Sequence, residues 1–135
     1  MSKRWILITV ALVLPAAFQV GSAQNPVPGI TKPEANVVRI DDVEYSHVSD
    51  GRRLHRVNGS TVGLINVHWP KGTVAEPHNH SVELIVSVAS GRLKVLTGGD
   101  EFILEPGDVV AFPAWVDHGF EALEDTVTFE AAGPG

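Results

Sequence analysis

Between residues 37 and 131 the chain breaks into short extended runs, and no window keeps a helical period for long. The runs cover residues 37–40, 52–57, 61–69, 83–88, 92–97, 101–104, 109–112, 118–123 and 126–131. Turn signals separate them: Asp50-Gly51, Asn58-Gly59, Pro70-Lys71-Gly72, Gly98-Gly99-Asp100 and Pro106-Gly107-Asp108. Short, β-branched runs at near-regular spacing with Gly and Pro at the breaks specify an all-β sandwich or barrel. No internal repeat is long enough for a propeller. Val109, Phe112, Phe120, Leu123, Val127 and Phe129 are the expected core, while Trp69 and Trp115 suit either a core or a pocket wall.

The first residues read as a segment apart from the fold. Lys3 and Arg4 precede an apolar run over 5–14, then Pro15 and the small residues Gly21-Ser22-Ala23. That is the layout of a secretory signal peptide over residues 1–23, which predicts a periplasmic or secreted protein. The run is about ten residues, short of the roughly twenty that span a bilayer, so no membrane association is expected after cleavage. Residues 24–36, with Pro26, Pro28, Gly29 and Pro33, form an extended linker or arm, and residues 37–135 form one domain. The chain has no Cys, which excludes disulfides, thiolate chemistry and zinc–sulfur sites. Its formal charge is −6, and it becomes −8 once Lys3 and Arg4 leave with the leader. An acidic balance argues against nucleic acid, because phosphate binding needs clustered Lys and Arg. Arg52, Arg53 and Arg56 near a turn read first as a solvated face and second as a greeting for an anionic substrate.

The chemistry is carried by His78-Asn79-His80 and by His118 further on. On an extended segment, residues i and i+2 share a face, so His78 and His80 can present two imidazoles to one ion. A third can arrive from a neighbouring strand. Three protein ligands leave positions open for water or substrate, which is the arrangement of a catalytic rather than a structural site.

The spacing around these histidines resembles that of the cupins, small jelly-roll β-barrels, over about residues 52–131. In the first cupin motif five residues separate Gly72 from His78-Asn79-His80, and Gly91 closes it. The Glu slot of that motif holds Leu84. In the second, Gly107 leads to Pro113, Trp115 stands in a Gly slot, His118 in the His slot and Ala122 in the Asn slot. The resemblance implies an all-β jelly-roll barrel with a divalent metal (Fe, Mn, Zn, Ni or Cu) held inside it by His78, His80 and His118. Three completions of the shell compete. The centre is a three-histidine site, or Glu83 ligates through a bulge, or Glu76 or His68 substitutes. Strand alternation puts Val82, Leu84, Val86 and Val88 on one face and Glu83 on the other, which favours the first. His47 and His55 are expected to face solvent, and Asp117 to face away from His118.

The resemblance implies a metal-dependent enzyme of isomerase, lyase or dioxygenase type acting on a small metabolite. A metal bound by neutral imidazoles keeps its full charge, which favours an anionic substrate. The other reading is a non-catalytic barrel that binds a small ligand or metal in the periplasm. Residues 122–127 also resemble the tail of small cupins of uronate breakdown, in which an acid, an aromatic and an Arg follow. Here Glu130 stands at the acid position, Ala132 at the aromatic one, and no Arg follows before Gly135. Small cupins often pair into dimers, so a homodimer is the expected assembly.

Overall fold

The computed structural model describes residues 35–133; the leader, and nearly all of the arm, lie outside that range. Ten strands follow a short 3₁₀ turn at Ile40–Asp42. They are β1 (Tyr45–His47), β2 (Arg53–Asn58), β3 (Gly63–Trp69), β4 (Val74–His78) and β5 (Leu84–Ser90), then β6 (Leu93–Thr97), β7 (Asp100–Leu104), β8 (Val109–Phe112), β9 (His118–Ala122) and β10 (Thr126–Ala132). All pairings are antiparallel. One sheet runs β1-β2-β3-β10-β5-β8 and the other β4-β9-β6-β7. Two antiparallel sheets facing each other are the expected all-β jelly roll. No helix among the described residues is long and apolar enough to cross a membrane.

Alternation builds the core. Ile65, Val67 and Trp69 on β3, Leu84, Val86 and Val88 on β5, and Leu93 and Val95 on β6 are all buried. Each sits two residues from the next, so one face of each of these three strands meets the opposite sheet. Burying such a side chain contributes about 1.5–3 kcal/mol before chain entropy is counted. At Gly91 (φ +80°) a side chain would collide with Asp125 O and Thr126 Oγ1, so the turn into β6 packs against the start of β10 only because it is bare.

Several expectations need correction. Residues 37–40 form no strand, whereas β1 and β4 do. Phe112 and Phe120 are core, but Val109 and Phe129 are exposed, and Leu123 and Val127 are half-buried. Parity explains this. Phe112 points inward, so Val109, three residues earlier, points out; Thr128 is buried, so its neighbour Phe129 faces solvent. Trp69 is core and Trp115 is 69% exposed. Arg52 is no solvated charge: its guanidinium lies 4.6 Å over the Trp69 ring and pairs with Asp50 at 2.7 Å.

Candidate metal centre

His118 opens β9 and faces His78 at the end of β4, an edge strand. Strict alternation would not put His78 there. Ala75 is buried against Phe120, and unbroken parity would turn Pro77, not His78, to the same side. A register shift between Ala75 and His78 inserts the extra residue that reverses the parity. Pro77 sits in that irregular stretch, where an edge strand tolerates the missing N–H. His80 follows two residues past the strand end, and Trp115 N–H donates to its carbonyl at 2.7 Å.

The three rings form a triangle with centroids 5.0, 4.8 and 4.8 Å apart, and their ligating nitrogens lie within 4.8 Å of one another. Two of the tautomers follow from hydrogen bonding. His78 Nδ1 meets Glu76 O at 2.7 Å, and His118 Nδ1 meets Val116 O at 2.8 Å. A carbonyl only accepts, so each Nδ1 carries the proton and each Nε2 keeps its lone pair. The same carbonyl contacts orient metal-bound histidines generally. His118 Nε2 is buried and has no hydrogen-bond partner among the described residues. A buried lone pair without a partner is costly. Two neighbouring imidazoles and an electron-pair acceptor between them would satisfy it, so the donor set fits a divalent metal.

Electrostatics keeps the site ready. Burial, with the neighbouring His118 and His78, pushes the His80 imidazole below its ordinary pKa. Burial also lowers that of His118, against the Val116 carbonyl contact that raises it. Both shifts favour the neutral ring, the form a ligand must have. The sign for the metal-free fold follows. A lowered imidazole pKa contributes stability above the ordinary imidazole range, and that stability is lost as pH falls through it.

Leu84, in the Glu slot, is buried at 4% exposure and pairs with Phe112, which stacks on His118 at 4.4 Å. Glu83 lies just before β5, is exposed, and is not among the groups brought together with the triad. Leu84, Val86 and Val88 alternate without interruption from the start of β5, which keeps Leu84 on the buried face. Glu76 is exposed and offers only its carbonyl, to His78. His68 donates from Nε2 to Asn66 Oδ1 at 3.0 Å and lies on the opposite face of β3 from Val67 and Trp69. Asp117 accepts from Asn79 Nδ2 and does not contact His118. His47 is exposed, while His55 is half-buried and held by Val43 O at 2.8 Å.

On β10 a carboxylate is tied to the buried core. Trp69 Nε1–H donates to Thr128 Oγ1 at 3.0 Å, and the Thr128 hydroxyl donates to Glu130 Oε1 at 2.9 Å. Burial pushes the Glu130 carboxyl up, against the pull of Thr128 and of the charges on Arg52, His78 and Arg56. An acid with a raised pKa that feels the charge of His78 is suited to hold and move a proton. Sequence reasoning reached Glu130 only through the resemblance; alternation with Thr128 was the signal that places it inside.

The loop before β9 carries a strained residue. Val116 N–H closes onto Pro113 O at 3.2 Å, which makes 113–116 a turn. Trp115 occupies its third position with φ +68°, a conformation that favours glycine. A Trp115→Gly variant is expected to gain about 1 kcal/mol in stability, the relief of a left-handed non-glycine residue. Chemical denaturation checks this; a loss of stability would mean that the indole packs more than its exposure implies.

Comparison with known proteins gives a consistent picture. The family model described as "Cupin domain" matches residues 65–131. A search of curated proteins finds no match. Among solved structures, KdgF from Halomonas sp. is similar, with TM-score 0.70 and 25% identity over 76% of this chain and 96% of that one. An RmlC-like cupin from Shewanella frigidimarina matches with TM-score 0.70 and 18% identity, over 76% and 93%. A predicted oxalate decarboxylase from Thermotoga maritima matches with TM-score 0.66 and 16% identity, over 73% and 97%.

Proposed function

Since residues 65–131 carry a cupin domain, we propose that His78, His80 and His118 hold a divalent metal and that the protein is an enzyme acting on a small anionic metabolite. The observation that carries this reading is the buried, unpartnered Nε2 of His118, with the other two imidazoles within 4.8 Å. An all-imidazole set suits Zn, Fe, Ni or Cu, with Mn less favoured in the absence of a carboxylate. Such an ion supplies Lewis acidity to a carbonyl or enol oxygen or, if redox-active, a place for oxygen chemistry.

The remaining work falls to the chain. Glu76 O and Val116 O fix two of the rings through Nδ1. Phe112, Leu84 and Phe120 keep the His118 side dry. Glu130 is the group that takes or gives a proton, held by the Thr128 hydroxyl. An isomerase, lyase or dioxygenase fits these parts, and a predicted oxalate decarboxylase and a salicylate 1,2-dioxygenase are among the similar folds. Metal-loaded and chelated protein should be incubated with a panel of small organic acids, with conversion followed by mass spectrometry. Conversion is expected only with metal, and Glu130→Gln should abolish it while keeping the metal. Absence of stoichiometric metal, with stability unchanged by chelation, sinks the reading.

Export through the leader and pairing into a homodimer belong to the same proposal. Leu64, Ile85, Val109 and Phe129 are exposed on the outward face of the six-stranded sheet, a surface that suits a second copy. Intact mass of the exported product tests cleavage at residue 23. Sedimentation tests the pairing, and a monomer at high concentration removes it.

A further inference from the structure

We propose that a cleft at one end of the four-stranded sheet is the route by which the divalent cation reaches the three histidines, and that Asp100 and Glu101 draw it in. The inference rests on the metal-centre reading above and adds how the ion arrives.

Strand ends build the cleft. β4 closes at His78, β9 opens at His118, β6 closes at Thr97 and β7 opens at Asp100. These four residues stand in one row, since His78 pairs with His118, His118 with Thr97, and Thr97 with Asp100. Neighbouring strands lie about 4.8 Å apart, so the backbones of Asp100 and His118 are roughly 10 Å apart. Gly98 (φ +60°) and Gly99 (φ +88°) make the two-residue turn that sets Asp100 directly opposite Thr97. A Cβ on either glycine would meet nothing within 4 Å, so this side of the cleft borders open space.

The cleft, about 570 Å³ in volume, reaches His118, and its charges are of one sign. Asp100, Glu101 and Asp117 line it, and no Lys or Arg does. Pro77, Leu96 and Val116 add apolar wall. A cleft with charge of one sign and walls of low dielectric focuses its field and speeds the arrival of the opposite charge. Lys94, on the same sheet, is paired with Glu121. Asp100 and Glu101 form no ion pair among the described residues. Asp117 accepts from Asn79 Nδ2 at 2.6 Å, which ties its charge to the residue between His78 and His80. On the other sheet the carboxylate of Glu130 is offset by the charges of Arg52 and Arg56, whereas no cation lines the cleft.

The imidazole that the cleft reaches also calls for a cation. His118 is 2% exposed, and its Nε2 lone pair has no partner among the described residues. Among those residues only His78, His80 and His118 come together, as a group of three or more, closely enough to hold an ion. The three carboxylates therefore attract an ion without trapping it, and the ion passes on to the histidines.

The test follows cobalt(II), whose visible absorption changes on coordination, mixed with metal-free protein in stopped flow. Asp100→Asn combined with Glu101→Gln should slow uptake about fivefold or more at 0.1 M salt, where the screening length is about 10 Å. The difference should shrink to within about twofold at 1 M salt, where that length is about 3 Å. Cobalt stoichiometry at equilibrium should be unchanged. Asp41→Asn combined with Asp42→Asn removes the same two charges from the turn before β1, and should leave the rate within about twofold of wild type. Uptake slowed less than about twofold by the cleft pair at 0.1 M salt, or slowed equally by the control pair, overturns the proposal. A protein that takes up no cobalt at equilibrium is a different result: it overturns the metal centre, and the route with it.

Discussion

Replacing His118 with alanine removes stoichiometric metal binding. His118 is 2% exposed, its Nδ1 proton is committed to Val116 O, and its Nε2 has no partner among the described residues. Loss of an outer partner of a ligand already costs roughly 10–100-fold in affinity, and loss of the ligand itself costs more. The effect on stability has two parts. Without metal, the variant loses the ring packed between Phe112 and Phe120, at centroid distances of 4.4 and 5.5 Å, but also sheds a stranded buried nitrogen. A large-to-small cost of about 2–5 kcal/mol is therefore partly offset by about 1–3 kcal/mol. With metal at a thousand times its dissociation constant, the wild type gains about 4 kcal/mol and the variant gains nothing. Thermal unfolding with and without zinc measures both parts. A metal-induced shift of wild-type size in His118→Ala would remove His118 from the shell.

Thr128→Val is the second large effect, although the two side chains have nearly the same shape. Thr128 is fully buried, and its hydroxyl links Trp69 Nε1–H to Glu130 Oε1. Valine strands the indole donor in the core and removes a donor from the carboxylate. Each stranded group costs about 1–3 kcal/mol, so a deficit of about 2–4 kcal/mol is expected at neutral pH. The deficit also depends on pH. A carboxyl whose pKa is raised by folding is most stabilising in acid, and that stability is lost as pH rises above the ordinary carboxylate value. Removing the Thr128 hydroxyl, which lowers the Glu130 pKa, makes the loss steeper. Urea unfolding at acid and neutral pH should show a midpoint shift with unchanged slope, larger at neutral pH. A deficit below about 0.5 kcal/mol at both would show that water or another donor replaces the hydroxyl.

The barrel was legible because its turns are written in Gly, Pro, Asn and Asp, and because β3, β5 and β6 alternate cleanly. The faces of β8 and β10 were harder to read. Val109 and Phe112 put apolar residues on both sides of β8, so hydrophobicity did not fix its parity; on β10 Val127 and Phe129 share the outward face while Thr126 and Thr128 are the buried positions, so hydrophobicity pointed to the wrong face. β4 was hidden because Pro77 and Glu76 break its pattern. That same irregularity brings His78 opposite His118. The three histidines could be picked out from spacing, and the apolar Leu84 could be seen to displace a carboxylate. The interior roles of Thr128 and Glu130 depend on pairing across strands far apart in sequence.

The central claim is a centre of three imidazoles in which Leu84 leaves the carboxylate position apolar. X-ray absorption spectroscopy on the zinc-loaded protein, beside its Glu83→Gln variant, tests it most directly. The expected first shell holds three imidazole nitrogens at about 2.0–2.1 Å, completed by solvent, and is the same in both proteins. A shell with fewer than three imidazoles, or one that loses an oxygen when Glu83 is replaced, would contradict it.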